Sequence, residues 1–262
     1  MIPRHPLHAS ADIAAALDVA GVACVPGALP PARCAALRDA IDALQPRDWD
    51  ERHDDPLGNG RHLDRYLCVF NRDPLWLPLL DRPGIIDVAD TVLGADCHVI
   101  GMTAWRCHPG YRGDPLHVDH LPLTWTEGLL PDALRVPVAL FTVHYYLNDV
   151  TADLAPTRVI PGSHRAGRAP RADETQWQGR TLATALAAAG DALLFRSELW
   201  HAGSANTTRD GVRYLLQVHY GRREMAPHYV PFLRWQWNDA VLAAATPRQR
   251  RLLGDHAPGA YD

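Results

Sequence analysis

Cys97-His98-Val99-Ile100-Gly101-Met102-Thr103-Ala104-Trp105 is an apolar, strand-like run. It leads through the turn Arg106-Cys107-His108-Pro109-Gly110-Tyr111-Arg112-Gly113-Asp114-Pro115 into Leu116-His117-Val118-Asp119-His120. From Cys97 onward the chain reads as short strands broken by Gly and Pro, over 97–107, 138–147, 157–160, 190–196 and 212–221. Strands that follow one another without intervening helices predict an antiparallel sandwich or barrel. On a strand, side chains two apart share a face, so His117 and Asp119 are expected to aim at one point inside that barrel.

The His-x-Asp triplet alone decides little, because it occurs three times, at His53/Asp55, His62/Asp64 and His117/Asp119. The first two lie in a run rich in charge and turn formers that reads as an exposed loop. Only the third follows a strand and a Pro/Gly turn. A metal ion would fit where its imidazole and carboxylate converge.

With 262 residues, 47% of them hydrophobic and 21% charged, the chain can bury the core of one large domain spanning 1–262. A net charge of −4, a pI near 6.4 and no basic block give no reason to expect nucleic acid or a membrane surface as partner. The expected partner is a small molecule. Cys24, Cys34, Cys68, Cys97 and Cys107 are odd in number and never form Cys-x-x-Cys, which predicts reduced thiols and neither a disulfide framework nor a zinc ribbon. The N-terminal residues lack a signal-peptide core, and no apolar run approaches the roughly 20 residues of a membrane span, so a cytoplasmic location is expected.

Residues 9–95 read as N-terminal support for the barrel. Ala9 to Leu17 is helical, with Ser10 placed to cap it. Gly21 to Val25 is a short buried strand, and Pro30 to Leu44 is a helix whose prolines suit a first turn. The polar stretch 45–61 is the expected long loop or lid, Tyr66 to Phe70 a strand, and Ile85 to Leu93 a helix stopped by Gly94. The core is expected over about 97–222, with a C-terminal extension over 223–262.

A second cluster lies downstream. The apolar strand ending at Arg196 leads to Leu199-Trp200-His201-Ala202-Gly203-Ser204, and His201 is separated from His117 by enough chain for several strands. Two histidines and one carboxylate on one face of a metal leave the other positions open, the arrangement of non-haem Fe(II) oxygenases. Twelve residues later Arg213 sits inside the apolar strand Gly211 to Tyr220. A buried guanidinium is costly unless it meets an anion, and its fork matches the distal carboxylate of a keto-diacid chelating the metal.

These residues bring a resemblance into view. Leu116 to Asp119, His144 to Thr151, Arg158 to Arg165, Gly190-Asp191 and the segment from His201 to Arg213 occur in the order found in the phytanoyl-CoA dioxygenase family of Fe(II)- and 2-oxoglutarate-dependent oxygenases, which the sequence resembles over roughly half its length. The resemblance implies a mainly β protein with flanking helices and a double-stranded β-helix (jelly-roll, cupin-like) core. It implies His117, Asp119 and His201 as ligands to Fe(II), and Arg213 as the partner of 2-oxoglutarate, with O2 as the other co-substrate. It also implies oxidation of a small molecule coupled to decarboxylation of 2-oxoglutarate to succinate and CO2.

Relatives that halogenate carry a small residue at the position of Asp119, so the carboxylate here implies a hydroxylase or another oxidative enzyme instead. Thr142 and His144 share a strand face, and His144 stands near where relatives line the 2-oxoglutarate site. Relatives often have a serine two residues after the distal histidine; this chain has Gly203 there, with Ser204 next to it. It also reads Ala152-Asp153-Leu154-Ala155-Pro156-Thr157 where relatives place an Asn-Gly-like pair.

Candidate substrate contacts are Trp125, His120, Arg61 and Trp235, from or beside the lid segments 45–65, 121–135 and 222–240. Trp125 is placed either to form a lid or to anchor its insertion, and Trp235 and Trp237 alternate as a strand or flap would. Arg65, like Arg61, follows the long loop and reads as surface charge, with contact to an acidic substrate as the alternative. A bacterial secondary metabolite or amino-acid derivative is the expected substrate. The alternatives are a cupin-like metal-dependent isomerase or hydrolase that uses no keto acid, which leaves Arg213 without a role, and a binding barrel without catalysis.

Overall fold

The computed structural model describes residues 1–47, 50, 57–126, 135–229 and 233–258. Helices α1 (Ser10–Val19), α2 (Pro31–Asp42) and α3 (Ile85–Leu93) come first, together with strands β1 (Val22–Val25) and β2 (Leu63–Leu67). The strands that follow are β3 (His98–Cys107), β4 (Leu140–Tyr146), β5 (Thr157–Val159), β6 (Gln176–Trp177), β7 (Arg180–Thr181), β8 (Ala183–Ala185), β9 (Ala192–Arg196), β10 (His201–Gly203) and β11 (Arg213–Gly221). Two short helices, α4 (Asp239–Ala244) and α5 (Pro247–Leu252), come last. No helix among the described residues is long and apolar enough to cross a membrane.

Local chemistry sets several boundaries. Pro31 opens α2, where a missing N–H costs nothing, and Gly94 ends α3 at φ +104°. Ser10 does not cap α1: Ala9 holds the N-cap position and Ser10 is the first helical residue, with Asp12 in the first turn to meet the helix dipole. The strand expected over 66–70 lies earlier, at Leu63–Leu67. Cys68 takes a left-handed backbone, φ +52°, and turns Val69 and Phe70 out of the sheet into the core beneath the helices.

The strands form antiparallel sheets in the order β1-β9-β4-β11-β3-β2 and β10-β5-β8, the smaller one extended by a bridge between His117 and His201. From β4 onward the chain passes repeatedly between the two sheets, which gives the double-stranded β-helix, or jelly roll. Both outer strands of the large sheet, β1 and β2, come from the N-terminal support. The α-β-α opening therefore completes the sheet as well as packing against it.

The central strands β9 and β4 of the large sheet are buried on both faces and β11 nearly so, and side-chain chemistry separates the faces. Phe141, Val143 and Tyr145 on β4, and Leu216, Val218 and Tyr220 on β11, join Ile13, Leu17, Leu37, Ile85 and Val88 of the helices in one apolar layer. Each large apolar side chain buried there contributes roughly 1.5–3 kcal/mol. The opposite faces carry Thr142 and His144 on β4 and Arg213, Leu215, Gln217 and His219 on β11. A polar inner row is affordable to the fold only if it serves a cavity, and these faces line one.

The corner after β9 contains a buried ion pair. Arg196 is fully buried and donates to Glu198, and also to the carbonyls of Val136 (2.9 Å) and Pro137 (3.1 Å). Glu198→Ala would strand that guanidinium and is expected to cost about 3 kcal/mol of stability, read as a lowered urea midpoint. A loss under about 1 kcal/mol would show that water replaces the carboxylate.

Candidate active site

The two sheets enclose a cavity of about 750 Å³, lined among others by His117, Asp119, His201, His144, Arg213, Gln217, His219 and Arg65. His117 sits at a single bridge beside β10 instead of within a longer strand. Its N–H and that of His201 donate to each other's carbonyls, both at 2.9 Å. Asp119 is held by a different contact, its N–H donating to the Ser197 carbonyl at 3.0 Å. Close approach makes this pairing possible: a Cβ on Gly113, at φ +91°, would lie 2.5 Å from the Gly203 carbonyl oxygen.

The donor atoms of His117, Asp119 and His201 all lie within 4.8 Å of one another. His117 Nε2 is 3.7 Å and His201 Nε2 3.4 Å from Asp119 Oδ1. Each Nδ1–H donates to a backbone carbonyl, of Pro115 at 2.7 Å and of Leu199 at 2.9 Å. That fixes the tautomer and leaves both Nε2 lone pairs aimed at one point, as metal-ligating histidines require. Thr142 supports the third ligand. His219 Nδ1–H donates to Thr142 Oγ1 (2.9 Å), whose hydroxyl donates to Asp119 Oδ2 (3.4 Å).

Electrostatics suit a divalent cation. Burial would raise the Asp119 pKa, but the two imidazoles beside it, His201 foremost, outweigh it and hold the carboxyl well below 3.8. Burial would lower the His117 pKa, but the Asp119 carboxylate overcomes this and raises it. Burial, aided by the His201 charge, pushes His144 well below its usual value, so it stays neutral. Its partners agree: Trp105 Nε1–H donates to Gln217 Oε1 (2.6 Å), Gln217 Nε2 donates to His144 Nε2 (2.8 Å), and His144 Nδ1 lies 3.4 Å from Thr157 Oγ1.

Arg213 is 4% exposed. It donates to the Ala155 carbonyl and, at 3.0 Å, to Cys107 Sγ. Its Nε is buried without a partner, and no carboxylate pairs with it among the described residues. A buried guanidinium so placed beside a carboxylate–imidazole cluster fits a keto-diacid that reaches the metal at one end and the arginine at the other.

Other sequence candidates fall elsewhere. Gly203 has no room for the side chain relatives use, since a Cβ would lie 2.9 Å from Asp114 and from the Tyr111 hydroxyl. Ser204 is outside the cavity lining, its N–H donating to the Pro156 carbonyl. Trp125 packs on Gly167 and donates to the Arg165 carbonyl at 3.2 Å, so it anchors its insertion instead of lining the cavity. Trp235 and Trp237 form no strand; they pack with Phe70 and Tyr229 against the core, away from the ligands.

Arg61 is exposed on a 3-10 turn and does not line the cavity, whereas Arg65 does. His120 lines it and meets His228, their Nε2 atoms 2.8 Å apart. The remaining His-x-Asp triplets are accounted for differently. His62 bonds to the Pro109 carbonyl and Asp64 accepts from Arg106 and His108, while His53 and Asp55 lie outside the described residues.

Thr103, Trp105, Gln217, His219 and His228 escaped sequence reasoning. Alternation from Arg213 along β11 would have found Gln217 and His219, but nothing local marks the others. Burial lowers the pKa of His219 to about 3, of His228 to about 4 and of His164, outside the cavity, to about 3. The unfolded chain protonates these near 6.5, so it binds more protons than the folded one below that value, and stability falls as pH drops. Between about pH 6.5 and about pH 4 the thermal midpoint is expected to fall by roughly 10 °C or more, followed by circular dichroism.

The phytanoyl-CoA dioxygenase (PhyH) family model matches residues 17–214. Uncharacterized protein Rv1501 of Mycobacterium tuberculosis is 26% identical over 239 residues, 91% of this chain and 84% of its own. Dioxygenase af480 of Aspergillus fumigatus is 28% identical over 65% of this chain and 51% of its own. Among solved structures, HygX of Streptomyces hygroscopicus, with nickel and 2-oxoglutarate bound, superposes with a TM-score of 0.64 at 17% identity, covering 86% of this chain and 94% of its own. The non-heme alpha-ketoglutarate-dependent epimerase SnoN from nogalamycin biosynthesis gives 0.65 at 17% identity, covering 88% and 92%.

Proposed function

Given that this chain belongs to the phytanoyl-CoA dioxygenase family, matched over residues 17–214, we propose that it is an Fe(II)- and 2-oxoglutarate-dependent dioxygenase that hydroxylates a small molecule. The observation that carries this reading is the His117/Asp119/His201 donor cluster opening onto the same cavity as the buried Arg213, whose Nε has no partner and which meets no carboxylate among the described residues. Bound there, Fe(II), 2-oxoglutarate and O2 supply an oxidation of the substrate coupled to release of succinate and CO2.

The chain's own residues hold and orient. His117, Asp119 and His201 offer three ligands on one face and leave the cavity side open. The carbonyls of Pro115 and Leu199 fix the imidazoles, and Thr142 steadies the carboxylate. Arg213 grips the distal carboxylate of 2-oxoglutarate, and neutral His144, fixed by Gln217, borders the same space without adding charge. Asp119 fills the third ligand position with a carboxylate, which supports hydroxylation over halogenation. A metal-dependent isomerase or hydrolase without a keto acid would leave Arg213 idle.

The substrate is a small secondary metabolite or amino-acid derivative. A cavity of about 750 Å³ holds such a molecule. Fold relatives have been solved with small molecules in place, hygromycin B in HygX and nogalamycin RO in SnoN. Anaerobic titration of the protein with Fe(II) and 2-oxoglutarate is expected to develop the weak visible charge-transfer band of a chelated keto acid. Protein that binds Fe(II) yet gives no band would sink the proposal.

A further inference from the structure

The cavity holds a second arginine that the mechanism does not use. Arg65 on β2 pairs in register with Trp105 on β3, which pairs with Leu215 on β11. Leu63, Cys107 and Arg213 form the neighbouring inward row. The two arginines therefore lie on different strands of one cavity wall, with β3 between them, and their strands are roughly 10 Å apart. The Arg65 guanidinium stacks on the Trp105 ring, 5.0 Å from its centroid. Stacking positions a guanidinium and leaves its in-plane N–H donors free.

None of those donors has a hydrogen-bond partner among the described residues, and Nε is buried. The carboxylates that act on Arg65 by charge are each engaged elsewhere. Asp119 belongs to the metal cluster, Asp114 accepts from the Tyr111 hydroxyl at 2.5 Å, and Asp50 takes Arg72 through both oxygens at 2.7 Å. An Nε withdrawn from water without a partner is costly, and a ligand carboxylate would satisfy it together with a terminal N–H of the same guanidinium. Leu63, Leu67 and Leu215 complete the surrounding wall with apolar surface.

We propose that Arg65 is the substrate-recognition residue of this cavity and binds a carboxylate, so that the enzyme oxidises a carboxylic acid. This rests on the functional reading above, in which Arg213 is committed to 2-oxoglutarate. Trp105 shapes the site by holding the guanidinium in plane. A neutral or cationic substrate would leave Arg65 unpaired and gain nothing from it.

The probes are two matched pairs, benzoate with benzamide and hexanoate with hexanamide, which differ in charge far more than in shape. Binding to the anaerobic Fe(II)·2-oxoglutarate protein and to metal-free protein is measured by saturation-transfer NMR titration. At least one acid is expected to bind roughly tenfold or more tighter than its amide, the gain of a charge-assisted pair. Arg65→Met should abolish the preference, Arg65→Lys should keep part of it, and 2-oxoglutarate affinity should stay within about twofold in both.

Equal binding of acid and amide, no saturable binding of either acid, or a preference that survives Arg65→Met overturns the proposal. So does a loss of 2-oxoglutarate affinity in Arg65→Met, which would assign Arg65 to the co-substrate and leave the dioxygenase reading intact. Conversely, an Arg65-dependent preference for acids in protein that gives no charge-transfer band would sink the dioxygenase reading alone.

Discussion

His201→Ala and Asp119→Ala are each expected to weaken Fe(II) binding by at least roughly a hundredfold and to bring succinate release below detection. Loss of outer partners alone costs tenfold to a hundredfold, and these are the ligands themselves. The two variants differ in the metal-free protein. His201→Ala removes a 5%-exposed ring that packs on Phe195 at 4.8 Å, so some stability goes with it. Asp119→Ala removes a carboxylate held by the two histidines and Thr142, so its stability loss is electrostatic and is expected to fade at acid pH. Titration with Co(II) as a spectroscopic stand-in, beside thermal melting, reads both effects. Metal affinity within about threefold of the native protein in either variant would remove the metal centre from its assigned place.

Arg213→Met is expected to raise the dissociation constant for 2-oxoglutarate by roughly a hundredfold while leaving Fe(II) binding unchanged. Truncating one partner of a buried charge pair typically costs about 2–5 kcal/mol, and each 1.4 kcal/mol is tenfold. Arg213→Lys should recover only part of this, because a point charge cannot reproduce the planar fork. Without 2-oxoglutarate the effect on the fold reverses in sense. The native chain keeps a buried guanidinium with an unpaired Nε, so an apolar side chain of similar length is expected to be neutral or mildly stabilising. A variant that loses 2-oxoglutarate affinity without losing thermal stability separates the site from the scaffold. Equal affinity in native and variant protein would show that the co-substrate is held elsewhere, and the charge-transfer band decides it.

The legible parts of this protein are the local ones. Phe, Val, Leu and Tyr alternate with Thr, His and Gln along β4 and β11, and that alternation announces strands with one apolar and one functional face. Pro31 and Gly94 mark helix ends for reasons of backbone chemistry alone. Strand placement failed at Tyr66 to Phe70, because the left-handed turn at Cys68 is not a residue-type preference and arises from the burial of Val69 and Phe70 under the helices. Ser10 was misplaced for a smaller reason: helix starts slide by one residue when neighbouring groups are comparably good.

By itself the sequence determined the order of the chemistry, with His117, Asp119, His201 and Arg213 spaced along a chain of short strands, and from that order the jelly roll and its family. Only the tertiary structure decided who shares the cavity. Arg65 and Arg61 are four residues apart and alike in sequence, yet β2 pairs with β3 and carries Arg65 onto Trp105 while Arg61 stays exposed one turn earlier. Trp235 and Trp125 were taken out of the site by the same kind of contact, with Phe70 and Tyr229 for one and Gly167 for the other. The physical reason is that pairing between strands distant along the chain, and the packing of aromatics on whatever surface those pairings expose, depend on the whole assembled core and leave no periodic trace in the residues that end up side by side.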